Sequence, residues 1–169
     1  QRQMCIRDRT DALTGLYNKE TTEQLTDELL SEDENKSHAF LILDVDCFKQ
    51  INDIYGHAVG DIVLQKFGKL LKGTFREGDI LGRIGGDEFG VIMKNIQTKD
   101  IAMKKAGELL AKTQAYRIDE LKGNNISISI GISTAPQDGD CYMDLYKRAD
   151  QALYQAKRSG KARVCNYFS

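Results

Sequence analysis

The sequence predicts an α/β sandwich with a mixed central sheet of about five strands. Three observations point there. The apolar run "HAFLILDVD" stops abruptly in carboxylates, the stretch "NISISIGIST" alternates strictly, and segments with apolar residues at helical spacing fall between and around them. The elements follow the order helix, strand, helix, hairpin, helix, strand, helix, strand, without internal repeat or low-complexity linker.

Residues 1–9, "QRQMCIRDR", lack any periodicity, and "MCIRDR" resembles the read-through translation of a sequencing adapter. They are expected to be a non-native leader, with the domain occupying 10–169 and any natural upstream segment missing. From Thr10 a polar turn leads to Thr21, expected to cap a helix with Leu25, Leu29 and Leu30 on one face. "HAFLILDVD" reads as a buried strand carrying Asp44 and Asp46 at its end. One short helical turn fits before Gly56. A longer amphipathic helix then carries Val63, Leu64, Phe67, Leu70 and Leu71, with Asp61 in its first turn and Gly73 closing it.

"DILGRI" and "FGVIM" flank "GGDE" as the two strands of a hairpin. "TKDIAMKKAGELLAKTQ" follows as a helix expected to bury Ile101, Ala102, the Lys105 stem, Leu109 and Ala111. In the next strand Ile126, Ile128, Ile130 and Ile132 share one face and Ser127, Ser129, Gly131 and Ser133 the other. A last helix repeats Leu145, Ala149, Ala152, Leu153 and Ala156 and stops at Gly160, before a short strand in "ARVCNYF".

A chain of 169 residues with 41% apolar content suits one domain with an ordinary core. Its 29% charged residues nearly cancel, to a net charge of -1, so no global basic field draws in nucleic acid. No apolar run approaches the roughly 18 residues of a membrane span. The expectation is a cytoplasmic domain without membrane contact of its own, although a longer parent could be anchored. Cys5, Cys47, Cys141 and Cys165 form no C-x-x-C pair, which argues for reduced thiols over zinc or disulfides.

Asp44 and Asp46, two apart on one strand, place both carboxylates on one face with the Val45 carbonyl between them. They either end a strand in solvent or hold a hard cation. Mg²⁺ takes one or two carboxylates plus substrate phosphates, so Asp87 on a neighbouring hairpin would complete a phosphoryl-transfer site. Gly85 and Gly86 suit a tight turn through positive φ, and they also let a ligand approach the backbone closely.

"GGDEF" at 85–89, "DVDCFKQINDIYGHAVGD" at 44–61 and "DALTGLYNK" at 11–19, in this order and spacing, resemble the GGDEF domain family of diguanylate cyclases. The resemblance implies a palm-like, ferredoxin-related fold with helices on both faces. It also implies condensation of two GTP into cyclic di-GMP, with Mg²⁺ or Mn²⁺ as cofactor and a homodimer as the active state. Asp44, the Val45 carbonyl and Asp87 would hold the metal. Asp87 would also be the general base, with Glu88 beside it, and Lys49 would stabilise charge on the phosphates.

By the same resemblance Phe48, Gly85 and Gly86 contact substrate, and Asn52 and Asp61 read guanine through its O6, N1 and N2. His57 is either a substrate contact or a structural hydrogen bonder. Lys157 and Lys161, four apart across a helix end, would meet the phosphate tail. Arg76 and Asp79 match the R-x-x-D spacing of the family's inhibitory site for its product. Departures are Lys19 in place of Arg, Ile84 in place of an aromatic, Cys47 before Phe48, and Lys161 where Arg is frequent; none removes a required group.

Two other readings compete. A non-catalytic receptor for cyclic di-GMP or GTP is opposed by the intact Asp44, Asp87 and Glu88. A polymerase palm would want a basic template channel, which the near-neutral charge does not favour. An upstream sensory or receiver domain is expected in the longer parent.

Overall fold

The structure, a computed structural model, describes residues 6–168. The leader's residues 1–5 lie outside the described residues. Its remainder forms a short helix, α1 (Ile6–Arg9), and the Asn18 side-chain amide and backbone N–H donate to the carbonyls of Asp8 and Arg9. α2 (Lys19–Glu32) is capped by Asn18, whose side chain accepts from the Thr21 N–H at 2.9 Å, and not by Thr21. Thr21 is buried in the first turn. The cap falls three residues earlier than expected because Asn satisfies an orphan N–H as well as Thr does.

The remaining elements are β1 (His38–Val45), α3 (Phe48–Tyr55), α4 (His57–Thr74), β2 (Ile80–Arg83), β3 (Glu88–Met93), α5 (Lys99–Ala115), β4 (Ile128–Ala135), α6 (Tyr142–Arg158) and β5 (Val164–Asn166). They form a five-stranded sheet in the order β2-β3-β1-β4-β5, antiparallel except for the parallel pair β4 and β5. The hairpin supplies β2 and β3 of this sheet. Among the described residues no helix is long and apolar enough to cross a membrane.

Alternation along β1 divides the core. Ala39, Leu41, Leu43 and Val45 face α4 and α5, where Val63, Leu64, Phe67, Ala106 and Leu109 pack. Phe40 and Ile42 face α2 and α6, with Leu29, Leu30, Tyr142, Leu145 and Leu153. Phe67 meets Phe89 edge to face at 4.9 Å; truncating either to Ala removes a fully buried ring, at a cost of about 3–5 kcal/mol.

β4 is buried on both faces. Its Ser and Gly face lies directly under α6: a Cβ on Gly131 would fall 2.1 Å from the Ala149 carbonyl oxygen, and the Ser133 hydroxyl donates to the Leu145 carbonyl. Small residues there serve close helix approach, which mimics solvent-facing polarity in the sequence. On α5 the inward residues are Ala102, Ala106, Leu109 and Thr113, whereas Ile101 and Ala111 are exposed.

Candidate active site

β1 and β3 pair antiparallel with Asp44 opposite Glu88, so both side chains leave the sheet on the α6 face. The Val45 N–H donates a 3.3 Å bond to the Asp87 carbonyl, which ties the turn to the end of β1. Asp44 is nearly buried. One of its oxygens meets the Lys157 ammonium from the last turn of α6, and the other, Oδ1, is buried with no hydrogen-bond partner. Burial first, and the Asp87 carboxyl beside it second, push the Asp44 carboxyl up to about 7 against the pull of Lys157.

Asp46 does not join them. It lies one residue past β1, and its carboxylate accepts from the Ser127 and Ser129 hydroxyls at 2.6 and 2.7 Å and from the Ala162 N–H. Those bonds saturate it as a clamp on β4 and the α6–β5 loop. The acids that converge are therefore Asp44, Asp87 and Glu88. Glu88 is half-buried; burial raises its pKa, while the Tyr146 hydroxyl, 2.8 Å from Oε1, opposes the rise.

The turn between β2 and β3 spans Ile84 to Asp87, closed by bonds from the Ile84 and Gly85 N–H groups to the Glu88 carbonyl. Neither Gly85 nor Gly86 adopts positive φ, contrary to expectation. The space above Gly86 is open, with nothing within 4 Å of a built Cβ, so the glycine there leaves room for a ligand. Arg83 fixes the turn: its guanidinium donates to the Gly86 carbonyl at 2.8 Å and to Asp11 at 3.1 Å, and Asp11 is itself held by Thr14. Ile84, in place of an aromatic, is buried and packs over Gly90.

α3 and α4 are joined by Gly56 alone, at φ 92°, where a side chain would be strained. α3 runs two turns instead of one, and α4 starts at His57, which puts Asp61 in its second turn. Asn52 lies against Gly60, the residue before Asp61: a Cβ on Gly60 would stand 1.9 Å from Asn52 Oδ1 and 3.2 Å from the Phe48 ring. Asn52 Oδ1 is buried and without a partner. Phe48 and Asn52 thus meet at Gly60 in the α3–α4 corner, and Lys49, His57 and Asp61 are exposed around it. Lys161, at positive φ past the end of α6, places its ammonium 3.1 Å from Cys47 Sγ beside the same loop.

Arg76 and Asp79 lie at the other end of β2 from the turn. Asp79 is turned inward, its side chain 2% exposed, accepting from the N–H groups of Arg76 and Lys94. Arg76 pairs with it at 3.3 Å yet keeps its side chain 61% exposed, at the mouth of a groove of about 450 Å³ also lined by Ile96, Lys104, Lys105 and Glu108. Asp79 is therefore a loop anchor, and the exposed Arg76 guanidinium is tied to it and to the Lys94 carbonyl. Sequence reasoning missed Arg83, Asp11 and Tyr146 as members of the site. For the first two the signal was present, since Arg83 directly precedes the turn and Asp11 opens "DALTG".

Hard oxygen donors, an orphaned Asp44 oxygen and an ammonium seated where a cation would sit all fit a divalent metal.

The chain belongs to the GGDEF family: residues 8–163 match the family model described as "Diguanylate cyclase, GGDEF domain". It is 38% identical over 135 residues to Diguanylate cyclase A of Treponema denticola, covering 79% of this chain and 36% of that protein. The GGDEF domain of TpbB (YfiN) from Pseudomonas aeruginosa superposes with a TM-score of 0.88 at 33% identity, covering 94% of each chain. The GGDEF domain of DgcB from Caulobacter crescentus, solved in complex with c-di-GMP, gives a TM-score of 0.88 at 26% identity, covering 100% of this chain and 99% of that one. The chain spans less than half the length of the curated relatives it matches.

Proposed function

We propose that this domain is a diguanylate cyclase that condenses two GTP into cyclic di-GMP and two pyrophosphates. The observation that carries this reading is Asp44 opposite Glu88 on the α6 face with the Asp87 carboxyl beside Asp44, a buried Asp44 oxygen unpartnered and Lys157 neutralising the other. Asp44, the Val45 carbonyl and Asp87 would hold Mg²⁺ or Mn²⁺, which when bound supplies charge neutralisation on the phosphates and lowers the pKa of a coordinated hydroxyl.

In each half-reaction the 3′-hydroxyl of one GTP forms a bond to the α-phosphorus of the other, and the bond from that phosphorus to the β-phosphate bridging oxygen breaks. Asp87 takes the hydroxyl proton; the electron pair of the broken bond leaves with pyrophosphate. Lys49, Lys157 and Lys161 bind the phosphates. Asn52 and Asp61 select guanine; Phe48, Gly85 and the open surface over Gly86 receive the nucleotide, and exposed His57 borders it.

One domain presents one GTP, so turnover needs two domains face to face, and a lone monomer should be nearly inert. Product inhibition would act through Arg76, whose guanidinium can grip phosphate and stack on guanine, with Asp79 holding its loop. The parent is proposed to carry an upstream sensory or receiver domain, residues 1–9 to be a non-native leader, and the domain to work on cytoplasmic GTP. Incubation of the purified domain with GTP and Mg²⁺, followed by separation of the nucleotides, tests this: cyclic di-GMP should accumulate faster than in proportion to protein concentration. Binding of cyclic di-GMP without any synthesis would favour a receptor module.

A further inference from the structure

Tyr146, near the start of α6, touches the acidic site through one atom. Its hydroxyl donates to Glu88 Oε1 at 2.8 Å, and among the described residues this is the only hydrogen bond the Glu88 carboxylate makes. The ring is held from behind by Phe40 and Tyr142, at centroid distances of 6.5 and 5.9 Å, and both of those side chains are fully buried. A rigid donor thus meets a carboxylate that sits opposite Asp44 in the strand register.

A glutamate at a strand end has three rotatable bonds, and without a partner its head group would sample several orientations. A hydroxyl that takes one oxygen removes most of that freedom and leaves the other oxygen on the same side of the sheet as Asp44. Phenylalanine would pack on Phe40 and Tyr142 equally well, so the hydroxyl is the part of Tyr146 that packing alone does not require. We propose that Tyr146 is a positioning residue for the acidic site: its hydroxyl fixes the Glu88 carboxylate so that the free oxygen adds to the field on a cation held by Asp44 and Asp87. This rests on the reading that these acids hold a divalent cation.

The test is Mn²⁺ binding to the whole nucleotide-free chain, followed by electron paramagnetic resonance of the unbound ion, for the parent, Tyr146→Phe, Glu88→Gln and the double variant. Tyr146→Phe should weaken Mn²⁺ by about fivefold with an unchanged melting temperature, and in the Glu88→Gln background the same change should cost nothing further. Equal losses in both backgrounds, or no loss in the first, would overturn the assignment. If the parent binds no Mn²⁺, the assignment falls together with the cation reading. If it binds Mn²⁺ with the expected coupling but makes no cyclic dinucleotide, only the catalytic reading fails.

Discussion

Lys157 lays its ammonium on the Asp44 carboxylate, joining the last turn of α6 to the end of β1. Burial lowers the lysine's pKa, and its contact with Asp44 more than reverses that, so the lysine keeps its charge beside an acid whose own pKa is raised. Lys157→Met would leave a buried acid without its counter-ion. Because the lysine is partly exposed, the expected cost is roughly 1–2 kcal/mol, a few degrees of melting temperature. Thermal unfolding in EDTA should show that loss, and saturating Mg²⁺ should recover most of it by taking over the neutralisation. An equal loss in both conditions would mean that Asp44 is not a cation ligand.

Gly60 is the space that Asn52 occupies. In a helix interior Gly60→Ala gains about 0.5–1 kcal/mol of backbone stability, yet its Cβ would lie 1.9 Å from Asn52 Oδ1 and must expel the amide. The variant should melt near the parent temperature while binding a non-hydrolysable GTP analogue at least about tenfold more weakly, with reduced preference over the ATP analogue. Calorimetric titration with both analogues checks this; unchanged discrimination would remove Asn52 from guanine recognition.

Arg83 links Asp11 to the Gly86 carbonyl, so the polar turn after α1 holds the "GGDE" turn in place. Burial tends to raise the Asp11 pKa, but its bonds from Thr14 and the Arg83 charge outweigh it and hold the carboxyl below its ordinary value. Arg83→Gln should lower kcat by about tenfold or more through loss of turn geometry, with a smaller change in KM. Steady-state kinetics would show the split, and a variant impaired only in KM would contradict the positioning role.

His38 begins β1 and is buried; its Nδ1 accepts from the Asn95 N–H at 3.1 Å. Burial lowers its pKa from the ordinary 6.5, partly offset by Asp33. The unfolded chain therefore binds a proton that the folded one resists. The contribution to stability is full above pH 6.5 and is lost as the pH falls from there through the lowered pKa. In urea titrations across this window, His38→Gln should show a flatter pH dependence than the parent; parallel profiles would mean that His38 does not titrate differently on folding.

Much of this was legible in the sequence. The apolar run before Asp44 could only be a buried strand, the α6 spacing was unambiguous, and the "GGDE" turn lay where strand patterns on either side required it. The burial of the serine face of β4 was not legible, because small residues under a close helix look like a solvent face. Asp46 misled because period two places it beside Asp44, whereas its hydroxyl partners lie 81 and 83 residues away along the chain. Tyr146 is separated from Glu88 by 58 residues and belongs to no local motif, so only the packing of α6 across β1 and β3 brings the two together.

The central claim is that Asp44 and Asp87 form a site for nucleotidyl transfer on GTP. Its most direct test is chromatographic analysis of products from GTP and Mg²⁺ with the parent domain at high concentration and with Asp87→Asn. Cyclic di-GMP and pyrophosphate in a 1:2 ratio from the parent, with turnover lost by at least about a thousandfold in a folded Asp87→Asn variant, is the predicted result. Unchanged turnover in that variant, or no cyclic dinucleotide from the parent, would contradict the account.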